Sequence, residues 1–181
     1  MRRLRDVIVD RPRVLFVGIN PGLRSAALGH HFAGRGNPFW RLLHASGLTP
    51  TLLPAEEDHR LAELGFALTN LCPRPTRGAD ERERAELAAG RVRLLAKIAR
   101  LQPRVVALVG VTLYPLIVGR TAAATPGAGR KPERLGGAIL LVLPNPSGRN
   151  AAYPGFAHKL VWFKRLHRLI GDGATRPVTR G

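Results

Sequence analysis

Four short apolar runs punctuate the chain: Val14–Val17, Phe66–Thr69, Val105–Val109 and Ile139–Leu143. Each is continuous rather than alternating and is followed by turn-forming residues, the pattern of strands buried on both faces. Between them the apolar positions switch to helical spacing. Asn37–Ser46 opens with a capping Asn and a Pro at the first helical position and stops before Gly47. Pro54–Leu64 carries its acidic residues early and stops at Gly65, and Arg82–Gln102 strings Leu87, Val92, Leu95, Ile98 and Leu101 into one stripe. Thr112–Val118 predicts a short helix bent at Pro115, and Ala157–Ile170 puts Leu160, Phe163, Leu166 and Ile170 on a single face. Alternating strands and helices predict an α/β fold, a mainly parallel sheet covered by helices on both sides. Thr121–Gly137, rich in Ala, Gly and Pro, reads as a loop inside a single domain spanning 1–170, with 171–181 a flexible tail.

Composition narrows the setting. The chain has 181 residues, enough for one domain with a substantial core. Its single cysteine, Cys72, excludes an internal disulfide and argues against a thiolate-ligated metal or cluster, so no cofactor is expected. No run is long enough to span a membrane, and the basic N-terminus leads into no signal-peptide core, which makes the cytoplasm the expected compartment. Charge changes the picture most: 29 Lys and Arg stand against 12 Asp and Glu, a net charge of +17. An Arg-rich composition accompanies a GC-rich genome, yet that bias does not deplete acids. A polyanionic partner, nucleic acid, follows from the excess.

The candidate chemistry sits after the strands. Gly18-Ile19-Asn20-Pro21-Gly22 follows the first run and Leu143-Pro144-Asn145-Pro146-Ser147-Gly148 the last. If those two runs are neighbouring parallel strands, both loops emerge at the carboxyl edge of the sheet, where open α/β sheets bind ligands. Each offers an amide, a stiffening Pro and a Gly that admits close approach, a site built from rigid loops rather than charged side chains. Asn20 can aim a water but cannot take its proton, so it suits a substrate that nearly leaves unaided. Equally, Asn-Pro-Gly is good turn chemistry. Phe32 lies among small and polar residues with no obvious core partner, free to stack on a planar base or to anchor its loop. The adjacent His30 and His31 cannot easily share a metal, and they read as surface or phosphate-proximal. Ser147 and the backbone of its loop suit phosphate contacts, and Arg149 suits a groove or the gap left by an extruded base. Asp80, the one carboxylate in the third strand-end segment, reads as a helix cap or as a base near the pocket.

Taken together these loops resemble the mismatch-specific uracil-DNA glycosylases, the group that includes thymine-DNA glycosylase within the uracil-DNA glycosylase superfamily. The likeness rests on Gly18-Ile19-Asn20-Pro21-Gly22-Leu23, on Phe32-Ala33 with Asn37-Pro38-Phe39-Trp40, on Arg74-Pro75-Thr76 and on Leu143-Pro144-Asn145-Pro146-Ser147-Gly148, in register from about Val14 to Leu169. It implies a three-layer α/β/α sandwich that acts on duplex DNA as a monomer, without metal or cofactor. It implies extrusion of uracil or a related pyrimidine from a mispair such as G·U and hydrolysis of its N-glycosidic bond. Carried over residue by residue, Asn20 orients the attacking water, Ile19 and Gly22 form the backbone floor of the pocket, and Phe32 stacks on the base. Ser25, Asn70 and Asn145 complete the polar pocket, Ser147 sits near phosphate, and Gly148-Arg149-Asn150 form the wedge. Three positions depart from the family pattern. Arg149 stands where an apolar residue is common, Asn70 holds a position of varied chemistry, and Asp80 adds an acid, a second candidate for the catalytic base. A non-catalytic DNA-binding module on the same fold is the alternative. A phosphate-cradling nucleotide enzyme is disfavoured, because no glycine-rich phosphate motif follows a strand.

Overall fold

A computed structural model describes residues 4–74, 81–148 and 151–171, and the side chains of all of these except 81–83. The four apolar runs are strands β1 (Val14–Gly18), β2 (Phe66–Asn70), β3 (Val105–Val109) and β5 (Ala138–Leu143). They are mutually parallel and lie in the order β2-β1-β3-β5, with β4 (Gly129–Leu135) antiparallel to β5 at the edge. The strands bearing the two Asn-Pro loops are therefore not neighbours, since β3 runs between them.

Strand β4 corrects the expectation of a loop across Thr121–Gly137. A short 3-10 stretch, Gly119–Ala124, leads into it, and the Gly136-Gly137 turn, with both φ values positive, folds it back on β5. Its sequence, Gly-Arg-Lys-Pro-Glu-Arg-Leu, is polar and interrupted by Pro132, which only an edge strand tolerates. The register shifts between Arg130 and Arg134, around that proline.

Alternate residues of each central strand serve opposite faces. Val14, Phe16, Phe66, Leu68, Val105 and Ala107 meet α2 (Phe39–Ala45) and α5 (Phe156–Gly171). Leu15, Val17, Ala67, Val106 and Leu108 meet α3 (Glu81–Leu101) and α4 (Leu113–Val118). This is an α/β/α sandwich. At the centre of the first face the Phe16 ring sets its edge against Phe39 at 5.7 Å and against Phe66 at 5.9 Å. Phe16 is wholly buried, so truncation to Ala would cost about 3–5 kcal/mol.

The remaining elements place the loops. Pro54–Leu64, expected as a helix, is a 3-10 stretch over Ala55–Leu64 that breaks at Glu57 and turns Asp58 inward. A short helix that the hydrophobic pattern did not predict, α1 (Leu23–Leu28), starts directly after Gly22. The C-terminal helix is described as far as Gly171, and the expected tail beyond it lies outside the described residues. Among the described residues no helix is long and apolar enough to cross a membrane.

Candidate active site at the carboxyl edge of the sheet

The sheet reverses its winding at β1: β2 lies on one side of it and β3 on the other. Open α/β sheets form their ligand crevice at such a switch point, outside the carboxyl ends of the strands. Here that crevice is a cavity of about 650 Å³. Ile19, Asn20 and Gly22 line it after β1, Asn70 after β2, and Asn145, Ser147 and Gly148 after β5. Between the two Asn-Pro loops, β3 gives way to Gly110, whose φ of +130° suits glycine and which lies in contact range of Asn145. All eight candidate pocket and loop residues that the structure describes beyond Asn20, namely Ile19, Gly22, Ser25, Phe32, Asn70, Asn145, Ser147 and Gly148, border this one space. Asp80, Arg149 and Asn150 lie outside the described residues.

The first loop is fastened by main chain. The Gly18 and Ile19 carbonyls accept hydrogen bonds at 2.8 Å from the N–H groups of Leu71 and Cys72, which extend the β1–β2 pairing past the strand ends. The Gly22 carbonyl accepts the Ala26 N–H at 2.9 Å and starts α1. A Cβ built on Gly18 would fall 2.4 Å from Oδ1 of Asn70 and 3.8 Å from the Phe32 ring, so both side chains close over this backbone. Residue 18 has to be glycine for Asn70 to lie there.

Phe32 does have a core partner, contrary to the reading of its surroundings in sequence. Its ring stacks on buried Phe39 at 3.8 Å and 20° while also lining the cavity. Its backbone is in the left-handed region, φ +52°, which is strained for an aromatic residue and persists only where neighbours over-determine it. They do so on both sides. The Asp58 carboxylate accepts the His31 N–H at 2.8 Å, Trp40 Nε1 donates to the His31 carbonyl at 3.3 Å, and Ser25 Oγ accepts the Ala33 N–H at 2.9 Å. Arg24 donates to the Ala33 carbonyl at 3.2 Å. Ser25 thus orders the loop as well as lining the pocket.

His31 corrects the surface assignment of the histidine pair. It is 2% exposed, and its Nε2 donates to the Arg5 carbonyl at 2.9 Å. Desolvation pushes its pKa below the usual 6.5, so the ring is neutral at pH 7. His30 remains half-exposed beside Asp58, 3.3 Å from its Oδ1. The buried His31 ring is satisfied by the Arg5 carbonyl and its backbone N–H by the Asp58 carboxylate, both distant in sequence.

The second loop is held by side chains. Asn145 Oδ1 accepts both the Ser147 N–H at 3.1 Å and the Ser147 hydroxyl at 3.2 Å. Lys159, in the first turn of α5, donates from Nζ to the carbonyls of Pro146 at 2.7 Å and Gly148 at 3.0 Å. No motif marks this lysine, yet it occupies a position on the helix face that carries Phe163, Leu166 and Ile170, where an apolar residue is due. Arg35 and Arg41 also border the cavity, and Arg41 lies over the Phe156 ring at 4.7 Å. The lining is therefore more charged than the two loop sequences suggest, and the charge has one sign. Among the described residues no carboxylate lines the cavity, and no group of three His, Cys, Asp or Glu side chains is arranged to hold a metal ion.

A family model for the Uracil DNA glycosylase superfamily matches residues 6–167. The chain belongs to that superfamily. Membership places it among the DNA glycosylases, hydrolases that act in base excision repair. The solution NMR structure of a protein from Methanosarcina acetivorans, provisionally named a uracil DNA glycosylase, superposes with a TM-score of 0.53 at 16% identity. The likeness covers 92% of this glycosylase and 98% of that chain, and at such identity it speaks for the fold alone. The mostly parallel five-stranded sheet of the glycosylase, with helices on both faces, is thus a uracil DNA glycosylase-like fold.

Proposed function

We propose that the glycosylase removes uracil, or a related pyrimidine, from mispairs such as G·U in duplex DNA, acting as a monofunctional mismatch-specific enzyme. The observation that carries this reading is the convergence of Asn20, Phe32, Asn70 and Asn145 on one cavity that, among the described residues, basic side chains border and no carboxylate does. A mispaired base costs less to unstack and unpair, which selects damage before any chemistry. Extruded into the cavity, the pyrimidine stacks on the face of Phe32 opposite Phe39, and the Asn70 amide, donor and acceptor at once, matches the alternating edge of uracil. A water aimed by Asn20 adds to C1′ while the C1′–N1 bond breaks and its electron pair leaves with the base. Free uracil and an abasic deoxyribose result, the water's proton going to solvent and the base taking up a proton in turn. The developing negative charge on the base is met by Arg35 and Arg41 at the cavity wall.

Asn20 cannot accept the water's proton, so the mechanism depends on a good leaving group. Asp80 is the second candidate for that role, and with it poorer leaving groups come within range. Arg149 and Asn150 serve as the wedge that fills the gap in the duplex. The enzyme works as a monomer in the cytoplasm, since its contact surface is DNA. A DNA-binding module without catalysis is the competing reading, favoured by the net charge of +17.

The test is base release from duplexes bearing G·U, A·U or G·T, and from single-stranded U, with protein in excess. Release from G·U ahead of A·U supports the mismatch reading, and equal release from both replaces it with a general uracil glycosylase. Tight, salt-sensitive binding with no release from any substrate leaves the binding module as the function. A drop in release with Asp80→Asn assigns the proton acceptor to that carboxylate, and an unchanged rate removes it from the mechanism.

A further inference from the structure

Lys159 is a cation at a core position. Phe163, Leu166 and Ile170 follow it on the same face of α5 and are essentially inaccessible, and Lys159 itself is 7% exposed. Its Nζ meets the carbonyls of Pro146 and Gly148 and, among the described residues, forms no ion pair. Burial without a counter-charge pushes its pKa below that of an ordinary lysine. As filler of the core, a methionine or leucine would avoid that desolvation. The lysine therefore answers to something other than packing.

The second loop shows what that is. The peptide group joining Pro146 to Ser147 is grasped at both ends. Its carbonyl is taken by Lys159, and its N–H, which a trans peptide points the opposite way, is taken by Oδ1 of Asn145. The Asn145 amide is consequently oriented by the same peptide that Lys159 holds. Gly148 closes the arrangement: its carbonyl is the second acceptor for Nζ, and a Cβ on it would stand 3.5 Å from Nδ2 of Asn145.

We infer that Lys159 is a positioning residue of the glycosylase, which locks the Pro146–Ser147 peptide so that the Asn145 amide faces the extruded base. The inference rests on the glycosylase reading above. Without the ammonium the peptide is free to rotate, the Asx turn opens, and Asn145 loses its fixed direction. The base still enters the cavity, because Phe32 and Asn70 are held independently by β1, β2 and Asp58. Lys159 thus bears on the rate of the bound complex far more than on its formation.

The experiment is a double-mutant cycle of Lys159→Met and Asn145→Ala, read by single-turnover base release at saturating enzyme and by affinity for a duplex with a non-cleavable abasic analogue. Lys159→Met is expected to lower the rate on the order of 10²-fold, the scale of a misplaced catalytic contact, with affinity changed less than about threefold. The double variant is expected to be no slower than Asn145→Ala alone, since one residue acts through the other. Additive losses, a wild-type rate in Lys159→Met, or a rate that falls only in step with affinity would overturn the inference. If Lys159→Met does not fold, Lys159→Arg, which keeps the charge but not the geometry, is placed in the same cycle and judged by the same coupling. Absence of base release by the wild type sinks the glycosylase reading itself, and the role of Lys159 with it; release by the wild type with additive variants sinks the inference alone.

Discussion

Two loops of similar composition meet at the same sheet edge and are stabilised by opposite means. The Gly18–Gly22 loop is held through its main chain, by the Leu71 and Cys72 N–H groups on one side and the first turn of α1 on the other. The Pro144–Gly148 loop is held through side chains: Asn145 and Ser147 within it, and Lys159 from a helix beyond it. A main-chain support survives most substitutions, because it does not depend on residue type, whereas a side-chain support fails with one atom. The proposed water-positioning residue, Asn20, sits on the first kind of loop. The partner amide, Asn145, sits on the second. Tolerance to substitution should therefore differ sharply between the loops, and so should the reason for each loss.

Among substitutions of the supports, the largest effect is expected at the one point where the first loop's backbone does depend on residue type. Gly18→Ala introduces a Cβ 2.4 Å from Asn70 Oδ1, which must move. The clashing atom ends a side chain that can turn away, so the loss falls on the pocket more than on stability. With Asn70 displaced from the pocket, base release should fall about 10²-fold. A variant with wild-type release and melting temperature would show that Asn70 can vacate its place without consequence.

Next comes the support of Phe32. Asp58→Ala leaves the buried His31 N–H without its carboxylate acceptor, at a cost of about 1.5–3 kcal/mol. Phe32 then loses one of the contacts that keep it at positive φ, and weaker affinity for an unpaired pyrimidine should accompany the lower melting temperature. Stability lost with affinity intact would mean that Phe39 alone suffices to hold the ring.

Acid acts on the same support. His31 has a folded-state pKa lowered by desolvation, so the unfolded chain binds a proton that the folded one resists. Stability from this site is intact above the unfolded value of about 6.5 and is lost as the pH falls below it, down through the lowered folded pKa. Melting curves between pH 8 and pH 5 should show wild type losing more than His31→Gln over that window. Parallel curves would contradict a neutral, buried His31.

Ser147→Ala should have the smallest effect. It removes one of two hydrogen bonds to Asn145 Oδ1 and leaves the backbone N–H in place, so the stability change should stay within about 1 kcal/mol. Base release should remain within a few-fold of wild type. A loss as deep as that of Lys159→Met would shift the control of Asn145 from the peptide to the hydroxyl.

Much of this architecture is legible in the hydrophobic pattern, because strands buried on both faces leave continuous apolar runs such as Val105–Val109. Strand β4 escapes for the converse reason: an edge strand that carries Arg130, Pro132 and Arg134 has no apolar signature. The two Asn-Pro loops announce themselves, as strand-end turns do. What fastens the second of them, and the Phe32 segment beside the first, does not. His31 and Asp58 are 27 residues apart and Lys159 and Pro146 are 13 apart, and nothing local marks either pair. Only Lys159 leaves a trace, a charge on an otherwise apolar helix face.

The claim that Asn20 aims water at C1′ in a pocket fixed by backbone is tested most directly by Asn20→Ala. Its single-turnover release of uracil from a G·U duplex should be measured beside its affinity for that duplex and its melting temperature. Release reduced about 10²–10³-fold, with affinity and melting temperature kept, is the predicted result. Release at the wild-type rate would contradict the account.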